Sequence, residues 1–155
     1  MAQLEPGKRA PAFTLTDQRG KKVKLSELKG KKVVVYFYPK ADTPGCTTQS
    51  CSLRDAMPDL KKLKATVIGI SPDSPERQKK FDDKYGLGFT LLADEDHKVA
   101  EAWGAWGEKS MYGKKYMGIL RSAFLIDEKG KLADVWYKVS PKDTPTNLLN
   151  ALAAA

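Results

Sequence analysis

The feature that most constrains the fold is an uninterrupted run of β-branched and aromatic residues at positions 32–38 (KVVVYFY). A run of this kind predicts a strand buried on both faces, as in a sheet covered by helices. In open α/β sheets, reactive side chains and ligands gather where a strand ends and a helix begins. Because Thr43, Pro44 and Cys46 follow this strand closely, its end is the first place to look for a site.

Other segments of the chain alternate between strand and helix patterns. Strands are also predicted at 13–15, 23–25, 66–70, 122–126 and 132–139, the first two as an N-terminal hairpin and the last two around a turn at 127–130. Helices are predicted at about 44–63, with Pro58 interrupting or kinking it, from Ser74 onward, at 98–103 and at 144–152. This order predicts an α/β fold with a mixed central sheet flanked by helices.

The size and charge of the chain limit the number of domains and the classes of function that it can have. Its 155 residues, of which 41% are hydrophobic, suit one domain spanning 1–155 with core enough to fold without disulfides. Lys and Arg number 27 against 19 Asp and Glu, a net charge of +8. A basic nucleic-acid-binding protein is therefore one alternative. The lysines, however, lie in scattered pairs beside polar or acidic neighbours, which is typical of a solvated surface, and we expect no nucleic-acid partner.

The cellular compartment can also be predicted from the sequence. The first residues contain no apolar run typical of a signal peptide, and no stretch approaches the ~18 apolar residues of a membrane span. We expect a cytoplasmic protein with no membrane partner. In that compartment thiols are kept reduced, so two nearby cysteines indicate chemistry rather than a structural bridge.

The sequence lacks the motifs that would indicate a zinc site, nucleotide binding or acyl-serine chemistry. Two cysteines and one histidine cannot supply the four Cys/His ligands of a structural zinc site. His97 is interpreted as an ordinary surface histidine, and Trp103 and Trp106 as packing residues. There is no phosphate-binding glycine loop and no G-x-S-x-G elbow. We therefore expect neither a metal nor an organic cofactor.

Cys46 has the local context of a reactive thiol. Thr43 suits the N-cap of the following helix and Pro44 its first position. Cys46 then lies in the first turn, where unpaired backbone N–H groups and the helix dipole favour an anion and lower thiol pKa values. A thiol whose pKa falls from ~8.5 to ~6 gains about thirtyfold in thiolate at pH 7. The alternative, a small buried hydrophobic cysteine, would leave the cap, the proline and the second cysteine as coincidences.

Cys51 raises a geometric question. On a straight helix, five residues advance about 7.5 Å and turn about 140°, which separates the two Cα atoms by about 8.7 Å. A disulfide tolerates at most about 7 Å. Either Cys46 and Cys51 never bond, or the helix must unwind locally to let them. A permanent structural bridge is the least favoured of these options.

The segment 36–51 resembles the active-site signature of peroxiredoxins, P-x-x-x-T-x-x-C, with Pro39, Thr43 and Cys46 in its fixed positions. It is most similar to the bacterioferritin-comigratory-protein, or Q-type, group. Further similarities follow in the family's order over nearly the whole chain: 7–15 (GKRAPAFTL), 67–73 (VIGISPD), Trp103-Gly104 and 121–127 (RSAFLID). The resemblance implies a thioredoxin-like fold and the reduction of hydrogen peroxide and alkyl hydroperoxides.

The resemblance also implies roles for individual residues. Cys46 is the expected peroxidatic cysteine, which becomes a sulfenic acid. Cys51 is the expected resolving cysteine, recycled by thioredoxin or a similar dithiol. Thr43 and Arg121 are the expected activating partners of Cys46, and Pro39 and Gly45 the expected pocket residues. Gln49, where some subgroups have an acid, is read as a mark of the Q-type group. An intrachain partner removes the need for a dimer, so we expect a monomer.

A general thiol–disulfide oxidoreductase on the same fold is the nearest alternative function. Such enzymes carry a C-x-x-C pair, whose sulfurs meet without unwinding the helix. The spacing here is C-x-x-x-x-C, which favours the peroxidase.

Overall fold

The computed structural model describes residues 3–154. Its strands are β1 (Thr14–Asp17), β2 (Lys22–Lys24), β3 (Lys32–Phe37), β4 (Ala65–Ser71), β5 (Thr90–Ala93), β6 (Trp106–Met111), β7 (Lys114–Ile119), β8 (Ser122–Ile126) and β9 (Leu132–Tyr137). Its helices are α1 (Pro44–Lys62), α2 (Pro75–Tyr85), α3 (Lys98–Ala102) and α4 (Thr144–Ala154), with a short 3₁₀ helix at Leu25–Leu28. The predicted α/β fold with a mixed sheet is confirmed.

Seven strands form one sheet in the order β2-β1-β5-β4-β3-β8-β9. The central strand β3 pairs in parallel with β4 and antiparallel with β8. Side chains alternate along β3: Val34 and Tyr36 join the core beneath α1, α2 and α4, whereas Val33, Val35 and Phe37 join the core on the opposite face. Burial on both faces explains why this segment is apolar at every position from Val33 onward.

The largest departure from the sequence prediction is the separate two-stranded sheet of β6 and β7. Its strands pair antiparallel from Trp106 opposite Ile119 to Met111 opposite Lys114. Tyr112 and Gly113 connect them with φ angles of 52° and 77°, the pair of positive values that a tight hairpin turn requires. The prediction missed both strands, because their Lys, Glu and Gly residues lack the apolar pattern of a core strand. It also missed β5.

Two expectations about single residues need correction. Helix α1 continues through Pro58 to Lys62 without interruption. His97 is more than an ordinary surface histidine, because its ring stacks on Trp106 with the centroids 3.7 Å apart and bonds to Glu101. Trp103 is completely buried among aromatic rings, in the core that also contains Val33, Val35 and Phe37. This burial agrees with its interpretation as a packing residue.

Candidate active site

The loop after β3 delivers Cys46 into the first turn of α1. Thr43 occupies the N-cap position with extended backbone angles, and Pro44 is the first helical residue. The first turn of the helix is completed by a 2.8 Å hydrogen bond from the backbone nitrogen of Thr47 to the carbonyl of Thr43. Cys46 is 1% exposed and is a free thiol. Its sulfur is therefore largely removed from water beside the positive end of a helix dipole.

Arg121 brings a positive charge to this sulfur. It lies directly before β8, which pairs with β3. The start of β8 therefore lies beside the end of β3, from which the chain leads to α1. The guanidinium nitrogen Nη2 donates to Sγ of Cys46 over 3.4 Å. An arginine in proteins is always charged and donates several bonds. The contact stabilises an anionic sulfur more than a neutral thiol.

Gln49 holds the other end of the same guanidinium. Its Oε1 accepts a 2.7 Å bond from Nη1 of Arg121, and its Nε2 donates to Oγ1 of Thr144 over 3.1 Å. Thr144 in turn donates to the carbonyl of Ser140. Gln49 is completely buried. Sequence reasoning read it only as a subgroup mark, although it lies three residues from Cys46 and therefore on the same helix face.

Gly45 lies against Arg121. A Cβ at this position would stand 3.0 Å from Nη2 of Arg121 and 3.8 Å from Cγ of Pro141. A side chain would therefore press on the nitrogen that meets the sulfur. The structure thus gathers Cys46, Arg121 and Gly45, three of the residues named from the sequence, at one point.

Thr43 and Pro39 occupy the loop that leads to Cys46. The hydroxyl of Thr43 donates to the carbonyl of Lys40 over 2.7 Å, and the side chain makes no capping bond to the helix. Thr43 therefore occupies the predicted N-cap position without accepting a hydrogen bond from a helix N–H. Pro39 lies partly buried immediately after Tyr38.

This loop is anchored to the sheet and to α2 by two carboxylates. Oδ2 of Asp73 accepts bonds of 2.7 Å from the backbone nitrogen of Ala41 and from Oγ of Ser71. Asp42, with a φ of 58°, accepts from the Tyr85 hydroxyl at 2.7 Å and from the Lys84 ammonium at 2.9 Å. The Tyr85 bond, followed by the Lys84 contact, lowers the pKa of Asp42. The loop that leads into α1 is thus tied to the end of β4 through Asp73 and to α2 through Asp42.

Cys51 lies on the same uninterrupted helix and is also a free thiol. Its side chain is partly buried against the core beneath α1, α2 and α4. Between the two cysteines, Oγ of Ser50 and the hydroxyl of Tyr36 share a buried bond of 2.8 Å. Burial raises the pKa of Tyr36, against the smaller lowering effect of its hydrogen bond to Ser50. The Tyr36 hydroxyl therefore remains protonated and ties this turn of α1 to β3.

A model of the AhpC/TSA family matches residues 6–135. The chain belongs to the AhpC/TSA family. Peroxiredoxin Bcp of Escherichia coli (strain K12) is 54% identical over 136 residues, covering 88% of this chain and 87% of that protein. Peroxiredoxin Bcp of Bacillus subtilis (strain 168) is 49% identical over 149 residues, covering 96% and 95%.

The solved structures agree. The bacterioferritin comigratory protein of Xanthomonas campestris, whose structures address its alkyl peroxide reduction, superposes with a TM-score of 0.89 at 34% identity, covering 97% of this chain and 98% of that one. The chain is thus a peroxiredoxin of the Bcp/PrxQ group, and the expected thioredoxin-like fold is confirmed. Peroxiredoxins are peroxidases that act on peroxides and are reduced by thioredoxin-type proteins.

Within residues 3–154, no helix is both long and apolar enough to cross a bilayer. Over the same range, no three His, Cys, Asp or Glu side chains are grouped so that they could hold a metal ion.

Proposed function

We propose that this peroxiredoxin, as a single domain, reduces hydrogen peroxide and alkyl hydroperoxides with the thiolate of Cys46. The observation that carries the proposal is the 3.4 Å contact between Nη2 of Arg121 and the buried sulfur. A thiolate, unlike a thiol, is a strong nucleophile toward peroxide oxygen. A charged donor fixed beside the sulfur by Gln49 supports that ionised form.

In the first step, the Cys46 thiolate attacks the terminal oxygen of the hydroperoxide and the O–O bond breaks. The sulfur is oxidised to a sulfenic acid, and the departing alkoxide or hydroxide takes a proton from water and leaves as alcohol or water. Arg121 can stabilise the negative charge as it moves from sulfur to the leaving oxygen. Pro39 and Gly45 are the proposed wall of the pocket beside the sulfur, and the proposed role of the Thr43 hydroxyl is to bond the peroxide.

In the second step, the Cys51 thiolate attacks the Cys46 sulfenic acid, a disulfide forms and water is released. Both cysteines lie on α1, where helical geometry separates their Cα atoms by about 8.7 Å against the roughly 7 Å that a disulfide permits. The first turns of α1 must therefore unwind before the bond can form. The two free thiols in the folded helix support this order of events.

The reductant that closes the cycle is proposed to be thioredoxin or a similar dithiol protein. Its thiolate would attack the disulfide, form a mixed disulfide and release both cysteines by exchange. An intrachain Cys46–Cys51 bond needs no second subunit, so we propose a monomer. A reducing compartment such as the cytoplasm suits this chemistry.

A peroxidase assay coupled to thioredoxin and its reductase tests the proposal. Cys46→Ser should abolish turnover, because a serine hydroxyl is hardly ionised and attacks peroxide poorly. Cys51→Ser should still consume one equivalent of peroxide, with added oxygen on Cys46 detectable by mass, but should not be recycled efficiently. Substantial turnover by Cys46→Ser, or an unmodified Cys46 in the second variant, would contradict the assignment. Oxidation of thioredoxin without peroxide would instead support a general oxidoreductase.

A further inference from the structure

A cavity of about 150 Å³ lies at the end of β3 opposite to the proposed active site. Cys46 follows the last residue of this strand, Phe37, by way of the loop into α1. The cavity is instead lined by Val33, near the first residue of the strand, and by Ile126, which pairs with Val33 on β8. The four residue steps from Val33 to Phe37 span about 13 Å. The cavity and Cys46 are therefore at the two ends of the sheet.

The floor of the cavity is apolar. Its buried lining residues all belong to the core on the face of the sheet opposite α1, and they are Ala10, Leu25, Val33 and Ile126. An apolar cavity of about 150 Å³ takes up a benzene molecule. Binding of such a group is favourable because apolar surface is removed from water. The floor therefore suits a hydrocarbon group of about the size of benzene.

Backbone hydrogen bonds join the three segments that form the walls, 9–13, 25–31 and 126–130. Each pair of segments shares one such bond, and the bonds run from the nitrogen of Leu25 to the carbonyl of Phe13 (3.1 Å), from Ala10 to Gly130 (3.0 Å) and from Gly30 to Glu128 (3.0 Å). The segments are thus connected in a closed ring around the cavity. Because its walls are already fixed, a ligand does not have to order them on binding.

Three cations lie at the rim of the cavity. Arg9, Lys29 and Lys31 line it and are exposed, and within residues 3–154 none of them takes part in a salt bridge. Asp127 also lines the cavity, but its Oδ1 accepts hydrogen bonds from two backbone N–H groups of its own turn. A cleft whose charges are mostly of one sign concentrates the electric field on a ligand of the opposite sign. The rim therefore favours an anion.

We propose that this cavity binds a small apolar carboxylate, with the hydrocarbon group on the floor and the carboxylate among Arg9, Lys29 and Lys31. The planar fork of an arginine matches the geometry of a carboxylate. A bound anion also relieves the repulsion among the three cations. Benzoate has the size and the charge that the floor and the rim require. This site is separate from Cys46 and does not depend on the function proposed for that residue.

Amide chemical shifts measured by NMR during a titration with benzoate test the proposal. Sodium benzoate replaces sodium chloride, so that the ionic strength, which screens the rim charges, stays constant. Amides of 9–13, 25–31 and 126–130 should shift along a saturable curve with a Kd of ~1 mM, a reasonable affinity for so small a ligand. Amides of 46–53 should not shift. No saturable shift in the three wall segments would overturn the proposal.

Two analogues of benzoate separate the contribution of the floor from that of the rim. Benzamide keeps the aromatic ring and lacks the charge, whereas acetate keeps the carboxylate and lacks the ring. Each should bind at least about fivefold more weakly than benzoate, because it loses one of the two contributions. If benzamide binds as tightly as benzoate, the rim does not select an anion. If acetate does so, the floor takes no apolar group. Either result would overturn the proposal.

Variants of the lining residues locate the bound ligand. The double variant Lys29→Gln/Lys31→Gln should weaken benzoate binding roughly fivefold, since each exposed charge contributes modestly. Lys114→Gln/Lys138→Gln removes the same net charge from exposed residues that do not line the cavity and should bind benzoate like the parent. Ala12→Leu enlarges an exposed lining residue and should weaken binding by more than about tenfold, because its added carbons occupy space that the ring needs.

Thermal unfolding establishes that each variant is folded before its affinity is compared. If both double variants lose affinity equally, general attraction by the net charge of +8 accounts for the binding and the proposal is overturned. Parent-like affinity in folded Ala12→Leu and Lys29→Gln/Lys31→Gln would place the ligand elsewhere, with the same consequence. Cys46→Ser should bind benzoate like the parent, because the cavity lies at the other end of β3.

Discussion

The side-chain oxygen of Gln49 accepts a 2.7 Å hydrogen bond from Nη1 of Arg121, whose other terminal nitrogen lies 3.4 Å from the sulfur of Cys46. A neutral amide thus holds the guanidinium in place. An acid at position 49 would form an ion pair with Arg121 and draw its charge away from the sulfur. Because Gln49 is itself held by Thr144 of α4, the orientation of Arg121 depends on a helix far away in sequence.

Replacing Gln49 by Leu should leave one end of Arg121 without its partner. The guanidinium can then rotate, and we expect peroxide reduction to slow by about tenfold, the effect of losing about 1.4 kcal/mol of charge-assisted hydrogen bonding. Gln49→Glu should move the thiolate titration midpoint of Cys46 upward. Stopped-flow peroxide reduction and thiolate absorbance provide the measurements. Thr48→Ala, an exposed neighbour on α1, is the matched control and should change neither quantity.

Replacing Arg121 by Met should preserve the fold but remove the charge beside the sulfur. The thiolate fraction at pH 7 should fall and peroxide reduction should slow by more than tenfold, since charge-assisted bonds contribute about 1.5–3 kcal/mol. Arg54→Met, which removes a cation that pairs with Asp55 farther along α1, serves as the control. Identical titration curves for Arg121→Met and the parent would show that Arg121 is not an active-site residue.

Replacing Asp73 by Ala should loosen the loop between β3 and α1. The backbone N–H of Ala41 and the hydroxyl of Ser71 both lose the carboxylate that accepts their bonds. The cost of unpaired buried donors is about 1–3 kcal/mol each. We expect a lower unfolding midpoint in urea together with slower peroxide reduction. Asp83→Ala, which removes an exposed partner of Lys79, should alter both properties only slightly, and equal losses in the two variants would argue against the anchor.

Replacing Tyr36 by Phe should make the turn between the two cysteines easier to unwind. The lost bond to Ser50 contributes about 1 kcal/mol, which corresponds to roughly a fivefold rise in the unwound population. Cys51 should then reach the Cys46 sulfenic acid sooner, and less sulfinic acid should accumulate at high peroxide. Mass spectrometry of the disulfide and sulfinic products measures the ratio. Tyr116→Phe, at a 41% exposed tyrosine, should leave the ratio unchanged.

The sequence predicts those parts of the fold that depend on local pattern. Strand β3 and the start of α1 are found because burial on two faces and capping chemistry each leave a signature of neighbouring residues. The β6–β7 hairpin leaves none, since its strands lie outside the main sheet. The Gln49–Arg121 bond joins residues 72 positions apart. No periodicity encodes such a contact, so the role of Gln49 in the candidate site becomes visible only in the fold.

Oxidation should unfold the first turns of α1, and the structure shows which contacts must break. The Cys46–Cys51 bond requires Cα atoms about 8.7 Å apart on a helix to approach within roughly 7 Å. Unwinding the segment between them pulls Gln49 away from Arg121 and Ser50 away from Tyr36. Strand β3 is held by β4 and β8 on its two edges, so it does not depend on that turn.

Hydrogen exchange on the reduced and the peroxide-oxidised protein can detect this change. Amides of residues 46–53 should lose protection on oxidation, whereas those of 33–37 should keep theirs, because local opening leaves the core strands intact. The Cys51→Ser variant is the control: it forms no intrachain bond, so its helix should stay protected after peroxide treatment. If the parent keeps equal protection in both states although mass confirms the disulfide, then the two cysteines bond without unwinding α1. The two-step order of attack and unfolding would then be wrong, because the helix would impose no barrier between sulfenic acid and disulfide.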